Sequence, residues 1–117
     1  MDSKLVLYIA IAVVVAFVLI QRLRARKAPS AVVSEKIRSG ATIIDVRTAG
    51  EFAGASYPRA KNIPVDLLPA RMAGLPKDKP IVLYCASGAR SARAARILKQ
   101  AGFADVVNAG SLQSMPK

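Results

Sequence analysis

Residues 84–95 read YCASGARSARAA, and they place the only cysteine of the chain between two segments with different hydrophobic patterns. Residues 81–84 form a short apolar run, which is typical of a buried strand. Residues 91–101 carry apolar side chains at helical spacing and end before a glycine, which predicts a helix. Because a parallel sheet binds its ligands beyond the carboxyl ends of its strands, this order places Cys85 where a functional site is expected.

The loop that follows Cys85 has the composition of a cradle for a thiolate. Gly88 permits a positive φ, with which the backbone N–H groups of the loop turn toward the sulfur. The helix predicted to start near Ser91 presents its positive end there, and Arg90 adds a full charge. We therefore expect the pKa of Cys85 to lie below its usual value of about 8.5. The candidate catalytic residue is Cys85, and the candidate substrate-binding residues are Ala86, Ser87, Gly88, Ala89, Arg90 and Ser91.

Outward from this loop, the chain alternates between strand-like and helix-like segments. Such alternation predicts an α/β fold, in which a small parallel sheet is flanked by helices on both faces. The predicted strands are residues 42–45, 60–63, 81–84 and 105–108, and the predicted helices are residues 31–39, 65–73 and 91–101, with a turn or short helix at 48–52.

The N-terminal residues 1–27 differ from the rest of the chain. Residues 5–20 are sixteen consecutive apolar residues, which as a helix rise about 24 Å, slightly less than the roughly 30 Å hydrocarbon core of a bilayer. The basic residues that follow in QRLRARK (21–27) predict a single-pass anchor, uncleaved, with the C-terminal part on the cytoplasmic side. A cleaved signal peptide and a buried core helix are the alternatives. We expect a linker at residues 28–30 and one domain at residues 31–117.

The net charge of +11 does not indicate a nucleic-acid-binding protein. Four of the basic residues belong to the segment beside the apolar run, where topology and anionic lipids explain them. The rest of the chain lacks the interleaving of basic and aromatic residues that is typical of proteins that bind single-stranded nucleic acids. Because the chain has no histidine and one cysteine, we expect neither a metal site nor a disulfide within the chain. No cofactor is expected.

The cysteine loop resembles the active-site loop of single-domain rhodaneses, a family of sulfurtransferases, in the form Cys-x-x-Gly-x-Arg-Ser. The resemblance covers about residues 33–115. It is carried further by Asp45-Val-Arg47 with Glu51-Phe52, by Pro58, Ala60 and Asn62-Ile-Pro64, and by Val106-Val-Asn108-Ala-Gly110.

The chain departs from the common family pattern at Ala55-Ser-Tyr-Pro-Arg59, where Gly-His-Ile-Pro-Gly is usual. Ser56 therefore replaces the usual histidine, and Arg59 stands in place of a glycine. The closing Gly-Gly and the tryptophan after it are replaced by Gly110-Ser111 and Met115.

The resemblance implies a two-step transfer of sulfur. The cysteine would take the outer sulfur of a small anionic donor such as thiosulfate, forming a persulfide, and a thiol or cyanide would then accept that sulfur. Arg90 would orient the donor, and Ser87 and Ser91 are hydrogen-bond partners for the sulfur, although Ser91 is equally suited to cap the helix. Asp45 and Arg47 are expected to support the loop as an ion pair.

Three alternatives come from other functional classes. A lone cysteine at a strand end is commonly a small buried hydrophobe, although an inert thiol requires neither Gly88 nor Arg90. A phosphatase or arsenate reductase loop, Cys-x5-Arg, would need arginine at position 91, where this chain has serine. A docking module without enzymatic activity, held at the membrane, would share the fold.

Overall fold

The structure is a computed structural model that describes residues 2–24 and 27–117. These residues form five helices, four strands and three short 3₁₀ turns. The helices are α1 (Ser3–Arg24), α2 (Ser30–Arg38), α3 (Ala49–Gly54), α4 (Leu68–Arg71) and α5 (Ala89–Gln100). The strands are β1 (Thr42–Asp45), β2 (Lys61–Asn62), β3 (Ile81–Cys85) and β4 (Val106–Ser111), and the 3₁₀ turns are Val65–Leu67, Met72–Gly74 and Leu112–Ser114.

The four strands form one parallel sheet in the order β2-β1-β3-β4, which confirms the predicted sheet. The prediction for β1 is correct at both ends, whereas β4 extends three residues beyond the predicted end. The helix predicted at residues 65–73 is wrong as a continuous element. The single turn α4 lies there between two 3₁₀ turns, because Pro69, which has no N–H group, is tolerated only near the start of a helix.

Apolar side chains cover both faces of the sheet, as predicted. On one face the core includes Leu68 of α4 and Leu98 of α5, packed with Ile44 and Leu83. On the other face α2 places its buried Val33 in a second core. The second core consists of Val33, Ile43, Val82, Tyr84, Ala109 and Met115.

Helix α5 begins two residues earlier than predicted. Its N-terminal cap is Gly88, which has a φ of 95°, a backbone conformation that glycine adopts without strain. The alternative that Ser91 caps this helix is therefore wrong, because Ser91 lies in the first turn and is fully buried. This early start turns the Ser91 side chain toward the interior.

Helix α1 contains a candidate membrane span. Residues Ser3–Gln21 have a mean hydropathy of 2.7, and their length and composition fit a membrane span and a signal sequence alike. The predicted stop signal falls on Arg22, Arg24 and Arg26, whose side chains lie outside the described residues. After this segment, the Ala28 N–H donates to the Asn108 carbonyl at 2.7 Å.

The burial of Leu98 provides a test of the core. Its side chain is 0% exposed, whereas that of Leu67 is 42% exposed. We expect Leu98→Ala to lower the free energy of unfolding by about 2–5 kcal/mol, because it leaves a cavity. Leu67→Ala is the matched control and should change it by roughly 0.5 kcal/mol. Urea denaturation of the full chain in a nonionic detergent measures both, and equal losses would contradict this packing.

Candidate active site

Cys85 lies at the carboxyl end of β3, and its sulfur is held by the loop that follows it. The Gly88 N–H donates to Sγ at 2.9 Å, and the Ser91 hydroxyl oxygen lies 3.4 Å from Sγ. The cysteine is fully buried, whereas Ala86, Ser87 and Ala89 are exposed on the outer surface of the loop. Of the predicted loop residues, Ser87, Gly88 and Ser91 therefore reach the sulfur through their backbone, and Ser91 also reaches it with its side chain.

This environment lowers the pKa of Cys85, as predicted. Burial raises the pKa, because it disfavours the charged thiolate. The hydrogen bond with the Ser91 side chain and those with the backbone of Ser91, Ser87 and Gly88 lower it, and together they outweigh burial. Fixed N–H groups therefore stabilise negative charge on this sulfur.

Asn108 completes the site, although sequence reasoning did not list it as a site residue. Its side-chain amide donates to the Gly88 carbonyl at 3.2 Å, and its Oδ1 accepts from the Ser91 hydroxyl at 2.6 Å and from the Gly110 N–H at 2.9 Å. Its signals in the sequence are a polar residue within a mostly apolar closing strand and the segment Val106-Val-Asn108-Ala-Gly110, which resembles the rhodanese pattern. Asn108 therefore fixes the loop that holds Sγ through its contacts with Gly88 and Ser91.

A β-bulge in β4 brings this strand against the cysteine loop. Leu83 pairs with Asn108 but Tyr84 pairs with Gly110, so β4 contains one extra residue between these pairs. Gly110 adopts a φ of 90°, and a Cβ placed on Gly88 would lie 3.4 Å from its Cα. The two glycines allow the loop and the strand to approach closely.

Arg90 is paired with Glu51 of α3. Its guanidinium donates to the two carboxylate oxygens at 2.7 and 3.0 Å. The hydrogen bond to Glu51 raises the pKa of Arg90, and the negative charge of Cys85 also contributes to that increase. The predicted cation is therefore near the sulfur, but an anionic donor would compete with Glu51 for it.

Asp45 and Arg47 form the expected ion pair beside the loop. The Arg47 guanidinium lies 2.7 Å from an Asp45 carboxylate oxygen, and both residues are buried. Arg47 also donates to the carbonyl of Ala55, the residue that ends α3. The pair thus contacts the end of the helix that carries Glu51, and its role in supporting the cysteine loop stays a prediction.

The residues that the structure describes contain no cluster of three or more histidine, cysteine, aspartate or glutamate side chains able to hold a metal ion. The site consists of one sulfur, the backbone N–H groups that converge on it, a buried serine and an arginine paired with a carboxylate. Such an arrangement stabilises an anionic sulfur nucleophile.

Comparison with known proteins assigns the family. Residues 29–113 match the rhodanese-like domain. The chain belongs to the rhodanese-like family. Its relatives include proteins named sulfurtransferases.

Two curated relatives and one solved structure illustrate the similarity. A sulfurtransferase of Allochromatium vinosum is 44% identical over 66 residues, which are 56% of this chain and 62% of that protein. The thiosulfate sulfurtransferase PspE of Escherichia coli is 36% identical over 78 residues, or 63% of this chain and 75% of that protein. A rhodanese-related protein from Thermoplasma volcanium superposes with a TM-score of 0.64 at 35% identity, covering 76% of this chain and 88% of that one.

Substitution of the two loop serines separates the effects of side chain and backbone on the pKa of Cys85. The single hydrogen of the Ser91 hydroxyl can be accepted by Asn108 Oδ1 or by Sγ. Ser91→Ala removes this donor, which lowers the pKa of Cys85 when it turns to Sγ, so the pKa should rise and alkylation at neutral pH should slow. Ser87→Ala is the matched control, because Ser87 acts through its backbone N–H, which the substitution keeps. Alkylation of Cys85 in this variant should have the same pH profile as in the wild type. The rate of alkylation by iodoacetamide between pH 5 and 10 measures both variants. Identical profiles for the two variants would contradict the proposed geometry.

The Glu51–Arg90 pair predicts a pH dependence of stability. The hydrogen bonds from Arg90, with others from Thr48, lower the pKa of Glu51 to about 2. Because the pKa of Glu51 is lower in the folded state, its ionised carboxylate stabilises that state at pH values above its unfolded-state pKa of about 4.3. This contribution disappears as the pH falls through the folded-state pKa.

The difference in free energy of unfolding between the wild type and Glu51→Gln should therefore be constant above about pH 5 and shrink as the pH falls from about 4 toward 2. Urea denaturation across this range measures it. Glu35→Gln is the control, because its exposed carboxylate only contacts Arg38 at 4.0 Å and should matter little. A difference between wild type and Glu51→Gln that is independent of pH would contradict the assignment.

Proposed function

We propose that this chain is a sulfurtransferase in which Cys85 carries the transferred sulfur as a persulfide. The Cys85 thiolate attacks the outer sulfur of thiosulfate or of a persulfide donor, and a new S–S bond forms. With thiosulfate, its own S–S bond breaks and sulfite leaves with the electron pair. An acceptor thiolate or cyanide then attacks the outer sulfur of the persulfide, and Sγ leaves as the thiolate.

The observation that carries this proposal is the cradle of N–H groups around Sγ. The backbone N–H groups of Ser87, Gly88 and Ser91 favour a negative charge at this position. The same groups would stabilise the charge of the outgoing thiolate and of the persulfide, without requiring a side chain to move. In this proposal Arg90 attracts and orients the donor after one of its two hydrogen bonds to Glu51 breaks.

The relatives support the same reaction class. The curated relative from E. coli is named a thiosulfate sulfurtransferase, and the chain shares the fold of the Thermoplasma rhodanese-related protein. Thiosulfate is therefore the first donor to test. A thiol or cyanide acceptor completes the cycle.

We further propose that residues 5–20 anchor the protein in a membrane as a single pass, with the domain on the cytoplasmic side. The apolar helix Ser3–Gln21 and the basic residues that follow it support this topology. The domain would then start close to the bilayer, because only three residues separate the end of α1 from Ala28.

The second candidate function is a docking module without sulfurtransferase activity. Two observations favour it: Cys85 is fully buried, and the Arg90 side chain is already paired with Glu51. In this case the loop would be a structural element of a surface that binds a partner protein.

Intact mass after incubation with thiosulfate distinguishes the two functions. We expect the full chain in detergent to gain one sulfur, about 32 Da, and to lose it on addition of cyanide. Cys85→Ser is the control and should gain nothing. Gain only from a low-molecular-weight persulfide would indicate a carrier with another donor, and no gain from either donor would favour the docking module. The same spectrum shows whether the N-terminal residues are retained, as an anchor requires, or cleaved, as a signal peptide requires.

A further inference from the structure

A second cavity lies away from the cysteine loop, near the amino ends of β1 and β3 and on the face covered by α2. Its volume is about 510 Å³, which is within the range of small-molecule sites, about 300–1,000 Å³. It is lined by Ile37, Gly40, Ala41, Thr42, Ile43, Tyr57, Pro58, Arg59, Lys61 and Lys79. None of these residues belongs to the active site described above.

The charged side chains of this cavity are all basic. Arg59, Lys61 and Lys79 line it together with no acidic residue, and within residues 2–24 and 27–117 none of the three makes an ion pair. Arg47 and Arg90 near the active site, by contrast, are each paired with a carboxylate. Three cations around one concavity attract a multivalent anion.

Arg59 occupies this position at a conformational cost. It is the only non-glycine residue with a positive φ in the described part of the chain, at 67°. A Cβ disfavours this left-handed conformation, and the rhodanese pattern that the chain resembles has glycine at this position. The chain retains the strained backbone and adds a guanidinium at the cavity, an arrangement that is typical of binding positions.

The floor of the cavity is apolar and held in place. Ile43 is buried in the sheet, and Ile37 packs against the same core. The Tyr57 ring meets the Tyr84 ring edge-to-face at 6.4 Å, and its hydroxyl donates to the Pro116 carbonyl at 2.7 Å. A ligand with an organic body would therefore find a preformed apolar surface next to the three cations.

We propose that this cavity binds a phosphate monoester, with the phosphate between Arg59, Lys61 and Lys79 and its organic part on the floor formed by Ile43 and Tyr57. A phosphate monoester carries up to two negative charges, which three unpaired cations match better than they match a carboxylate. A guanidinium also binds a phosphate group through two parallel hydrogen bonds.

Two sources offer this chemistry: a soluble phosphorylated metabolite and a phospholipid headgroup. The geometry favours the soluble source. Ala28, which follows α1, is bonded to Asn108, whereas the cavity is lined by Ile37 and Gly40 at the far end of the nine-residue helix α2. That helix is about 13 Å long, so the cavity lies at the end of α2 opposite to the connection with α1.

The test is titration calorimetry of the full chain in nonionic detergent with two probes, phenyl phosphate and a short-chain phosphatidic acid. Arg59→Gln should weaken binding of the probe about tenfold, as expected for a lost charge-assisted hydrogen bond. Arg71→Gln is the matched control, because it removes the same charge from an exposed arginine outside this cavity, and it should leave affinity unchanged. Arg59→Gly should also weaken binding while resisting urea at least as well as the wild type, because glycine relieves the backbone strain.

Saturable, Arg59-dependent binding of phenyl phosphate supports the proposal with a soluble source, and such binding of the short-chain phosphatidic acid alone supports it with a lipid source. Equal losses in Arg59→Gln and Arg71→Gln would reveal nonspecific attraction and overturn the proposal, as would no binding of either probe. Loading of Cys85 with sulfur should be the same in all these variants, so the outcome is independent of the proposed sulfurtransferase reaction.

Discussion

The shape of the cysteine loop depends on the side chain of Asn108. This amide joins the closing strand to the loop at two points: it donates to the Gly88 carbonyl and accepts from the Ser91 hydroxyl. Because the 2.6 Å hydrogen bond to Asn108 holds the Ser91 hydroxyl in place, its oxygen stays 3.4 Å from Sγ of Cys85. Loss of the amide would remove the Oδ1 that accepts from the buried Gly110 N–H, and an unpaired buried donor costs more than its hydrogen bond contributes. The chemistry of the sulfur therefore depends on Asn108, which acts through Gly88 and Ser91.

A second set of contacts fixes the outer side of the loop. The buried pair of Asp45 and Arg47 holds the end of α3 through the Ala55 carbonyl, and α3 in turn presents Glu51 to Arg90. The position of Arg90 is thus determined by residues that follow β1, some forty positions earlier in the chain. In consequence, the positive charge near Cys85 is largely neutralised before a donor arrives, and the N–H groups of the loop are the main stabilisation of the thiolate.

Local patterns in the sequence predicted the sheet well and the connections between distant segments poorly. The β-branched run of β1 and the left-handed turn at Gly88 follow from short-range preferences, and the structure contains both. Asn108 could not be identified in this way, because the β-bulge that turns it toward the loop depends on the pairing of β4 with β3. The pairing of Arg90 with Glu51 was likewise missed, since no periodicity relates residues on two separate helices.

The basic residues at the two ends of the sheet differ in whether they are paired with a carboxylate. At the carboxyl end, Arg90 is paired with a carboxylate, and fixed backbone dipoles stabilise the negative charge in a buried position, where dissolved ions screen little. At the amino end, Arg59 and its two neighbouring lysines are exposed and unpaired within the described chain, so their attraction for anions weakens as ionic strength rises. The excess of basic residues in the domain is therefore not what activates the cysteine. Three of these basic residues, Arg59, Lys61 and Lys79, line the cavity at the opposite end of the sheet, where Arg59 has a φ of 67°.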